Sequence, residues 1–270
     1  MIHAVRREAR VFFAFAAMVP KLYLAYNAWV VVEFVVQILF MLVFVAFWRA
    51  VYANTTTLGG LDVGQTINYI LLAQIVAPLV QSRLVSEFGG MIREGRIAIE
   101  LLRPVDFQAR YAVESLTSLV VFAVQKLPLV LIAGAFLGLR LPSDPAAWGA
   151  FALSLVLGSM VLFLTDWMFA CLAFYSTETW GLGVVKIAVA TFFGGALVPL
   201  QMMPAWLRSI ALALPFSQGV AVPISFLAGV TPVSDLGALL IRQLLWLVGL
   251  GIASRLVFRQ AVRKITVQGG

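Results

Sequence analysis

Residues 29–48 read WVVVEFVVQILFMLVFVAFW, a run of twenty residues in which Glu33 and Gln37 are the only charged or amide side chains. At about 1.5 Å of rise per residue, a helix of this length extends about 30 Å. That distance matches the hydrocarbon core of a bilayer, where a lipid-facing helix needs apolar side chains along its whole length. The stretch therefore predicts a membrane-spanning helix in an all-α protein.

Five further segments of this kind follow along the chain. Together with the first, the six predicted spans cover residues 29–48, 66–85, 112–139, 148–174, 184–200 and 236–258. The region over about 199–234 is also apolar, but Pro204, Pro215, Pro223 and Pro232 interrupt it. Proline removes a helical hydrogen bond and clashes with the preceding turn. We therefore expect short helices there rather than a seventh span.

The overall composition agrees with a protein that lies mostly in lipid. Hydrophobic residues make up 62% of the 270 positions and charged residues 11%, whereas soluble domains carry about 25% charged residues. The net charge of +7 would also fit a nucleic-acid-binding protein, but no polar stretch interleaves basic and aromatic residues. One cysteine, Cys171, and one histidine, His3, cannot build a disulfide framework or a zinc site. We expect membrane lipid as the surroundings, with neither nucleic acid nor metal bound.

The distribution of basic residues predicts the orientation of the spans. Cytoplasmic loops of membrane proteins carry an excess of Lys and Arg. With the N-terminus in the cytoplasm, fourteen basic residues fall in inner segments and three in outer ones, while Lys126 and Arg242 fall within spans. We therefore predict a multi-pass protein of the bacterial cytoplasmic (inner) membrane with both termini in the cytoplasm.

Residues 1–28 precede the first span and form a unit of their own. Arg6, Arg7 and Arg10 come before an apolar stretch over residues 11–19. A signal peptide is one interpretation, but its small-residue cleavage site would follow Arg10 too closely. We favour an amphipathic helix that lies in the membrane interface, with its basic residues near anionic headgroups. Residues 29–270 then form a single six-span domain.

Two ionisable residues are predicted at membrane depth. Lys126 lies near the middle of the third span, and Asp166 lies in the inner half of the fourth. Charges at such depth are costly and usually find a partner. The two positions differ in depth by about 7 Å along antiparallel helices, a gap that a lysine side chain largely covers. They form either an ion pair that holds two helices together or a substrate or proton site.

The most informative polar segment follows the second span, over about residues 86–110. It contains IREGRIAIELLRP at positions 92–104. A short helix here would place Ile97, Leu101 and Leu102 on one side, and Pro104 would end it. The exposed side would carry Glu94, Arg96, Glu100 and Arg103. Such a helix could dock in the groove of a partner protein, and an ordinary interfacial loop is the alternative.

The loop at 92–105 resembles the signature of membrane subunits of type-2 ATP-binding-cassette (ABC) exporters, specifically their small six-span branch. A second match is VPLQMMPAWL at 198–207, followed by Leu214-Pro-Phe, Pro223 and Gly229. A third is FYSTETW at 174–180, where Tyr175 stands in place of the tryptophan that this family would have. Nearly the whole chain is covered, with the order and spacing of the motifs preserved.

The resemblance implies a permease that works with other subunits. These are two copies of a cytoplasmic ABC ATPase subunit and a second permease, identical or homologous. ATP and Mg²⁺ would bind to the ATPase, because this chain has no G-x-x-x-x-G-K-[ST] loop. The resemblance also implies an interfacial N-terminal helix and short re-entrant helices facing outside between spans five and six. The ATPase-coupling residues that it implies are Ile92, Arg93, Glu94, Gly95, Arg96, Ile97, Glu100, Leu101, Leu102, Arg103 and Pro104.

These observations predict a transport subunit and not an enzyme. We expect an ATP-driven exporter that moves a hydrophobic or amphipathic molecule, such as a drug, lipid or glycoconjugate, out of the cytoplasm. Candidate pathway residues, chosen by polarity and span number, are Gln37, Asn68, Gln74 and Phe192. The alternative is an ion-gradient-driven secondary transporter with Lys126 and Asp166 as coupling residues. A lipid-modifying enzyme would need an interfacial cluster of His, Asp or Glu, and the sequence shows none.

Overall fold

The computed structural model describes residues 27–176 and 179–264, without the side chains of residues 27–30, 125, 126 and 129. Helices make up nearly all of this part of the chain, and the β-contacts within it amount to one isolated bridge between Leu58 and Leu61. The predicted all-α class is therefore confirmed. The predicted interfacial helix over 1–28 lies almost wholly outside the described residues.

Ten α-helices follow one another along the described chain. They are α1 (Asn27–Val51), α2 (Val63–Val80), α3 (Leu84–Arg93), α4 (Arg96–Leu101), α5 (Phe107–Leu137), α6 (Pro145–Cys171), α7 (Trp180–Phe193), α8 (Ala205–Ala213), α9 (Ala221–Leu227) and α10 (Leu236–Val262). Short 3-10 helices occur at Tyr52–Asn54, Leu172–Phe174, Leu200–Met202, Pro215–Gln218 and Val233–Asp235.

Within the described residues, four stretches are long and apolar enough to cross a membrane: Val31–Asn54, Val63–Arg93, Pro145–Phe174 and Val233–Val262. A fifth is present if Ala205–Ala213 and Pro215–Leu227, which meet at an angle of 75°, together count as one broken span. The protein is therefore a multi-pass membrane protein. The predicted proline-interrupted region indeed contains short helices, with the sharp bend just before Pro215.

Helix α2 is the most buried of the long helices because it packs against α1, α5 and α9. Its first turn carries a capping box, in which Asp62 Oδ1 accepts from the Gln65 backbone N–H at 2.8 Å and Gln65 Oε1 accepts from the Asp62 N–H at 3.0 Å. This reciprocal cap satisfies two backbone donors that a helix start otherwise leaves free. The cap thus defines where α2 begins.

The helix ends meet in two groups of contacts. At one end, Phe88 of α3, Phe107 of α5, Trp167 of α6 and Phe258 of α10 pack with ring centroids 5.1–5.7 Å apart. We name this end, which holds α3 and α4, the loop end. At the opposite end, Gly59 lies against the backbone of Gln201 and Met202, and the Arg140 backbone N–H donates to Asn68 Oδ1 near the start of α2. The aromatic cluster fixes α3 firmly to the long helices behind it.

Candidate coupling loop and transmembrane cavities

The loop after α2 forms two short helices, α3 and α4, which are separated at Glu94 and Gly95. Gly95 has a φ of +68°, a left-handed conformation that suits glycine and that breaks the helix at this point. As the sequence predicted, the second helix ends before Pro104. The polar segment is therefore a helix pair with a sharp corner.

The side chains of α4 depart from the prediction at two positions. Ile97 is buried, but Leu102 is 84% exposed, because α4 ends at Leu101 and the helical spacing does not continue. Glu100 was expected to be exposed, yet its side chain is only 17% exposed, since Arg103 and Arg110 cover it. The loop therefore presents Leu102, and not Glu100, to its surroundings.

Ion pairs organise the charged face of the loop. Glu94 contacts Arg96, and both side chains are about half exposed. Glu100 lies 2.8 Å from Arg103 and 2.8 Å from Arg110 of α5. The contact with Arg110 is an ion pair without hydrogen-bond geometry, since neither facing atom makes a hydrogen bond. These pairs tie α4 to the start of α5.

Helix α3 packs against the start of α7 through a close contact between Gly89 and the Thr179 side chain. A Cβ atom added to Gly89 would lie 2.0 Å from Thr179 Oγ1, so this position accepts no side chain without a shift. Thr179 is itself buried, directly before Trp180 of α7. Helix α3 and the start of α7 are therefore closely packed at this contact.

A buried ion pair lies beneath the loop. Lys186 Nζ of α7 donates to Asp166 Oδ2 of α6 at 2.9 Å, and their side chains are 3% and 5% exposed. The Ser82 hydroxyl donates to the same carboxylate oxygen at 2.5 Å, while its carbonyl accepts from Lys186 at 3.2 Å. We name Ser82, Asp166 and Lys186 the buried charge cluster. Since Ser82 lies in the turn between α2 and α3, the cluster joins the root of the loop to two long helices.

The partner of Asp166 differs from the one that the sequence suggested. Lys126 was the expected partner, but the structure pairs Asp166 with Lys186; the side chain of Lys126 lies outside the described part. Lys186 had been counted among inner basic residues, although it falls within the predicted fifth span. A lone lysine among apolar residues at 184–200 was the signal that could have identified it.

The candidate pathway residues fall in three places. Gln37 and Gln74 meet: Gln37 Nε2 donates to the Gln74 carbonyl at 2.7 Å. That carbonyl is the one that Pro78, four residues later, leaves without its helical donor. Elsewhere, Asn68 is buried and its Oδ1 accepts from the backbone N–H of Arg140 at 2.8 Å. Phe192 packs on Phe193 and on residues of the 200–221 region.

Two adjoining cavities open beside the Gln37–Gln74 contact. The first, of about 290 Å³, lies between the α2–α3 turn, α5 and α6. The second, of about 400 Å³, lies between α1, α2 and α5. Both share the described lining residues Glu33, Leu79, Gln81 and Arg83. Glu33 and Glu114 both line the first cavity, and sequence reasoning did not identify either as a candidate site residue.

The start of α5 is held at the loop end by Asp106. Its Oδ1 accepts from the Ala109 backbone N–H at 2.7 Å, which caps the helix, and its other oxygen pairs with Arg255 of α10. Partial burial by itself would raise the pKa of Asp106, but the hydrogen bonds from Arg255 and Ala109 outweigh it and hold the pKa below its ordinary value. This contact links the loop region to the last helix.

The described chain is an apolar helical bundle with a charged loop packed on one end and open cavities between its helices. A family model described as ABC-2 family transporter protein matches residues 36–269. The chain belongs to the ABC-2 transporter family, as one of its membrane subunits. Membrane subunits of this family work with ATPase partners and typically have no ATPase site of their own. Searches of curated proteins and of solved structures returned no match.

Proposed function

We propose that this chain is the permease subunit of an ATP-driven exporter that moves a hydrophobic or amphipathic molecule out of the cytoplasm. The observation that carries the proposal is the α3–α4 loop, which is packed firmly on its inner side and carries exposed charged and apolar residues on its outer side. The six spans would be α1, α2, α5, α6, α7 and α10. Helices α8 and α9 would be re-entrant from the outside.

The orientation follows from the loop. The loop end would face the cytoplasm of a bacterial inner membrane, with both termini on that side. The positive-inside rule supports this orientation, because Arg93, Arg96 and Arg103 all lie there. Two copies of an ABC ATPase, which supply the sites for ATP and Mg²⁺, and a second permease, identical or homologous, would complete the transporter.

The outer side of the loop has the character of a docking surface. Ile99 and Leu102 are 65% and 84% exposed, beside the charged side chains of Glu94, Arg96 and Arg103. Exposed apolar residues surrounded by charges are typical of a helix that fits a groove in a partner. We therefore assign Leu102 the central position in the contact with the ATPase.

The inner side of the loop gives a route for the motion. Closure of the ATPase pair on ATP would push on α4, and α3 would follow as a rigid body. The Gly89–Thr179 contact and the buried charge cluster would then pass the displacement to α6 and α7. A tight contact and a buried ion pair support such a route because neither deforms cheaply.

The experiment measures association with the ATPase. Leu102→Ser, and separately the double substitution of Glu94→Ala with Arg103→Ala, should reduce co-purification of the ATPase while the permease remains inserted. Arg208→Ala is the matched control, since Arg208 is an exposed basic residue on α8 at the opposite end. Unchanged co-purification would contradict the docking assignment.

A second measurement tests the energy source. The permease purified alone should not hydrolyse ATP, and transport by the assembled complex should need ATP. Transport that follows a proton or sodium gradient without nucleotide would support the secondary transporter with Lys126 and Asp166 as coupling residues. ATP hydrolysis by the isolated chain would overturn the proposal.

A further inference from the structure

We propose that the two adjoining cavities bind the transported molecule and that this molecule is a cationic amphiphile. The inference rests on the proposed exporter function, since it names the substrate class of that transporter. The first cavity would receive the cationic group and the second the apolar body. The carboxylates of Glu114 and Glu87 would recognise the charge.

The charges that line the first cavity favour a cation. Its described lining contains three carboxylates, Glu33, Glu87 and Glu114, against one basic residue, Arg83. Arg83 lies 3.6 Å from Glu33 and is 91% exposed. One carboxylate is therefore already matched by a basic side chain, and two remain to be balanced.

Neither of the two remaining carboxylates forms an ion pair within the described part of the chain. Glu87, at the rim of the cavity, accepts a hydrogen bond from the neutral Tyr111 hydroxyl at 2.7 Å. Glu114 is half-buried and makes no hydrogen bond or ion pair with any residue that the structure describes. Arg110, one turn earlier on α5, attracts Glu114 but contacts Glu100 at 2.8 Å, so its charge is shared between the two carboxylates. A positive group of the ligand would supply what both carboxylates lack.

The walls of the first cavity suit an organic cation in particular. Tyr111, Phe122 and Phe163 contribute aromatic rings to the lining. Aromatic faces attract cations, and the attraction grows when the group is removed from water. Ser115 and Ser118 lie on the same face of α5 as Glu114 and Phe122 and add small polar groups.

The second cavity is suited to an apolar body. Its lining includes Phe34, Phe40, Ile75, Leu127 and Val130, and it meets the first cavity at Leu79 and Gln81. The two volumes, about 290 and 400 Å³, lie in or near the range of small-molecule sites. An anionic amphiphile would be repelled by Glu87 and Glu114. A molecule with one cationic end and one apolar end matches both chambers.

The test uses the permease in complex with its ATPase, reconstituted in nanodiscs of zwitterionic lipid. Binding of tetraphenylphosphonium is compared with binding of tetraphenylborate, which has the same shape and the opposite charge. We expect saturable binding of the cation above its binding to empty nanodiscs, and no such excess for the anion. Glu114→Gln should weaken cation binding at least about tenfold, and Glu87→Gln, at the wetter rim, about threefold. Asp235→Asn, an exposed carboxylate at the opposite end, should leave it unchanged.

A measurement on the wild-type chain keeps the test valid if Glu114→Gln fails to fold. Tetraphenylphosphonium should protect Glu114 from modification by a hydrophobic carbodiimide, as read by mass spectrometry, and tetraphenylborate should not. Equal binding of both ions, or cation binding that ignores Glu114 and Glu87, would overturn the assignment.

The two proposals fail in different ways. If the cation binds through Glu114 but ATP drives no uptake into inverted vesicles, the exporter proposal fails and the site stands. If ATP drives transport of a neutral amphiphile and Glu114→Gln has no effect on it, the site fails and the exporter stands.

Discussion

The charged side chains on the α3–α4 loop and those of the buried charge cluster beneath it differ in their exposure to water. Glu94 and Arg96 are 58% exposed, whereas Asp166 and Lys186 are 5% and 3% exposed. An exposed pair contributes about 0–1 kcal/mol because water screens it and solvates each charge separately. A buried pair must offset a large desolvation cost, so the loss of one partner is expensive. The exposed pair Glu94–Arg96, which we name the loop tip, can thus exchange partners. The buried charge cluster, which we name the loop root, is fixed.

This difference in burial suits a loop that binds a partner at its exposed part and is held rigidly where it joins the long helices. The exposed charges lie on α4 and at the α3–α4 corner, and the buried cluster lies at Ser82, directly before α3 begins. A partner can bind the tip at low cost because few interactions within the chain must be broken. In the proposed mechanism, the buried charge cluster would transmit the resulting displacement, because its contacts do not deform cheaply. The following predictions test whether burial separates the two regions, in order of decreasing effect.

Removal of one buried charge should have the largest effect. Lys186→Met leaves the Asp166 carboxyl buried without its cationic partner, with only Ser82 as a donor. We expect the free energy of unfolding to fall by about 3–5 kcal/mol. Denaturant unfolding of the purified chain in detergent, followed by tryptophan fluorescence, measures this change.

The control removes both charges together. Asp166→Asn combined with Lys186→Met leaves no buried charge unpaired, so most of the lost stability should return. If the double variant is as unstable as the single one, the desolvated charge is not the source of the loss and the comparison fails.

Filling the contact between α3 and α7 should have the second-largest effect. Gly89→Ala places a methyl group 2.0 Å from Thr179 Oγ1, and overpacking of this kind costs about 1–3 kcal/mol. Gly90→Ala is the matched control, because a Cβ there meets nothing within 4 Å. It should leave stability unchanged or raise it by up to about 1 kcal/mol through helix propensity. Equal unfolding curves for the two variants would contradict the tight seat of α3.

The sequence was informative about the fold and less so about the sites. Hydropathy located the long helices because a span that faces lipid needs an uninterrupted run of apolar residues in the sequence. The pairing of Asp166 with Lys186 could not be read in this way, because it depends on how α6 and α7 are rotated about their axes. The same holds for Glu87 and Glu114, which come from different helices and meet only in the cavity lining. Leu102 was predicted on the apolar side of the helix but is exposed, because α4 ends one residue earlier, at Leu101.

Loss of the half-buried charge on α4 should have an intermediate effect. Glu100→Gln removes the charge that faces Arg103 and Arg110, whose side chains are 46% and 11% exposed. Since water reaches part of this network, we expect a loss of about 1 kcal/mol. Denaturant unfolding measures it, and limited proteolysis at α4 should become faster. A loss as large as that of Lys186→Met would mean that the loop is as rigid as its root.

Loss of the exposed pair should have the smallest effect on stability. Glu94→Gln and Arg96→Gln should leave the unfolding midpoint unchanged within error, because both side chains are solvated with or without each other. Their contribution should appear only in association with the ATPase, as weaker co-purification that depends on salt. If Glu94→Gln destabilises the isolated chain as much as Glu100→Gln does, exposure does not explain the difference between tip and root. The rigidity of the loop would then have to come from the backbone corner at Gly95, where φ is +68°.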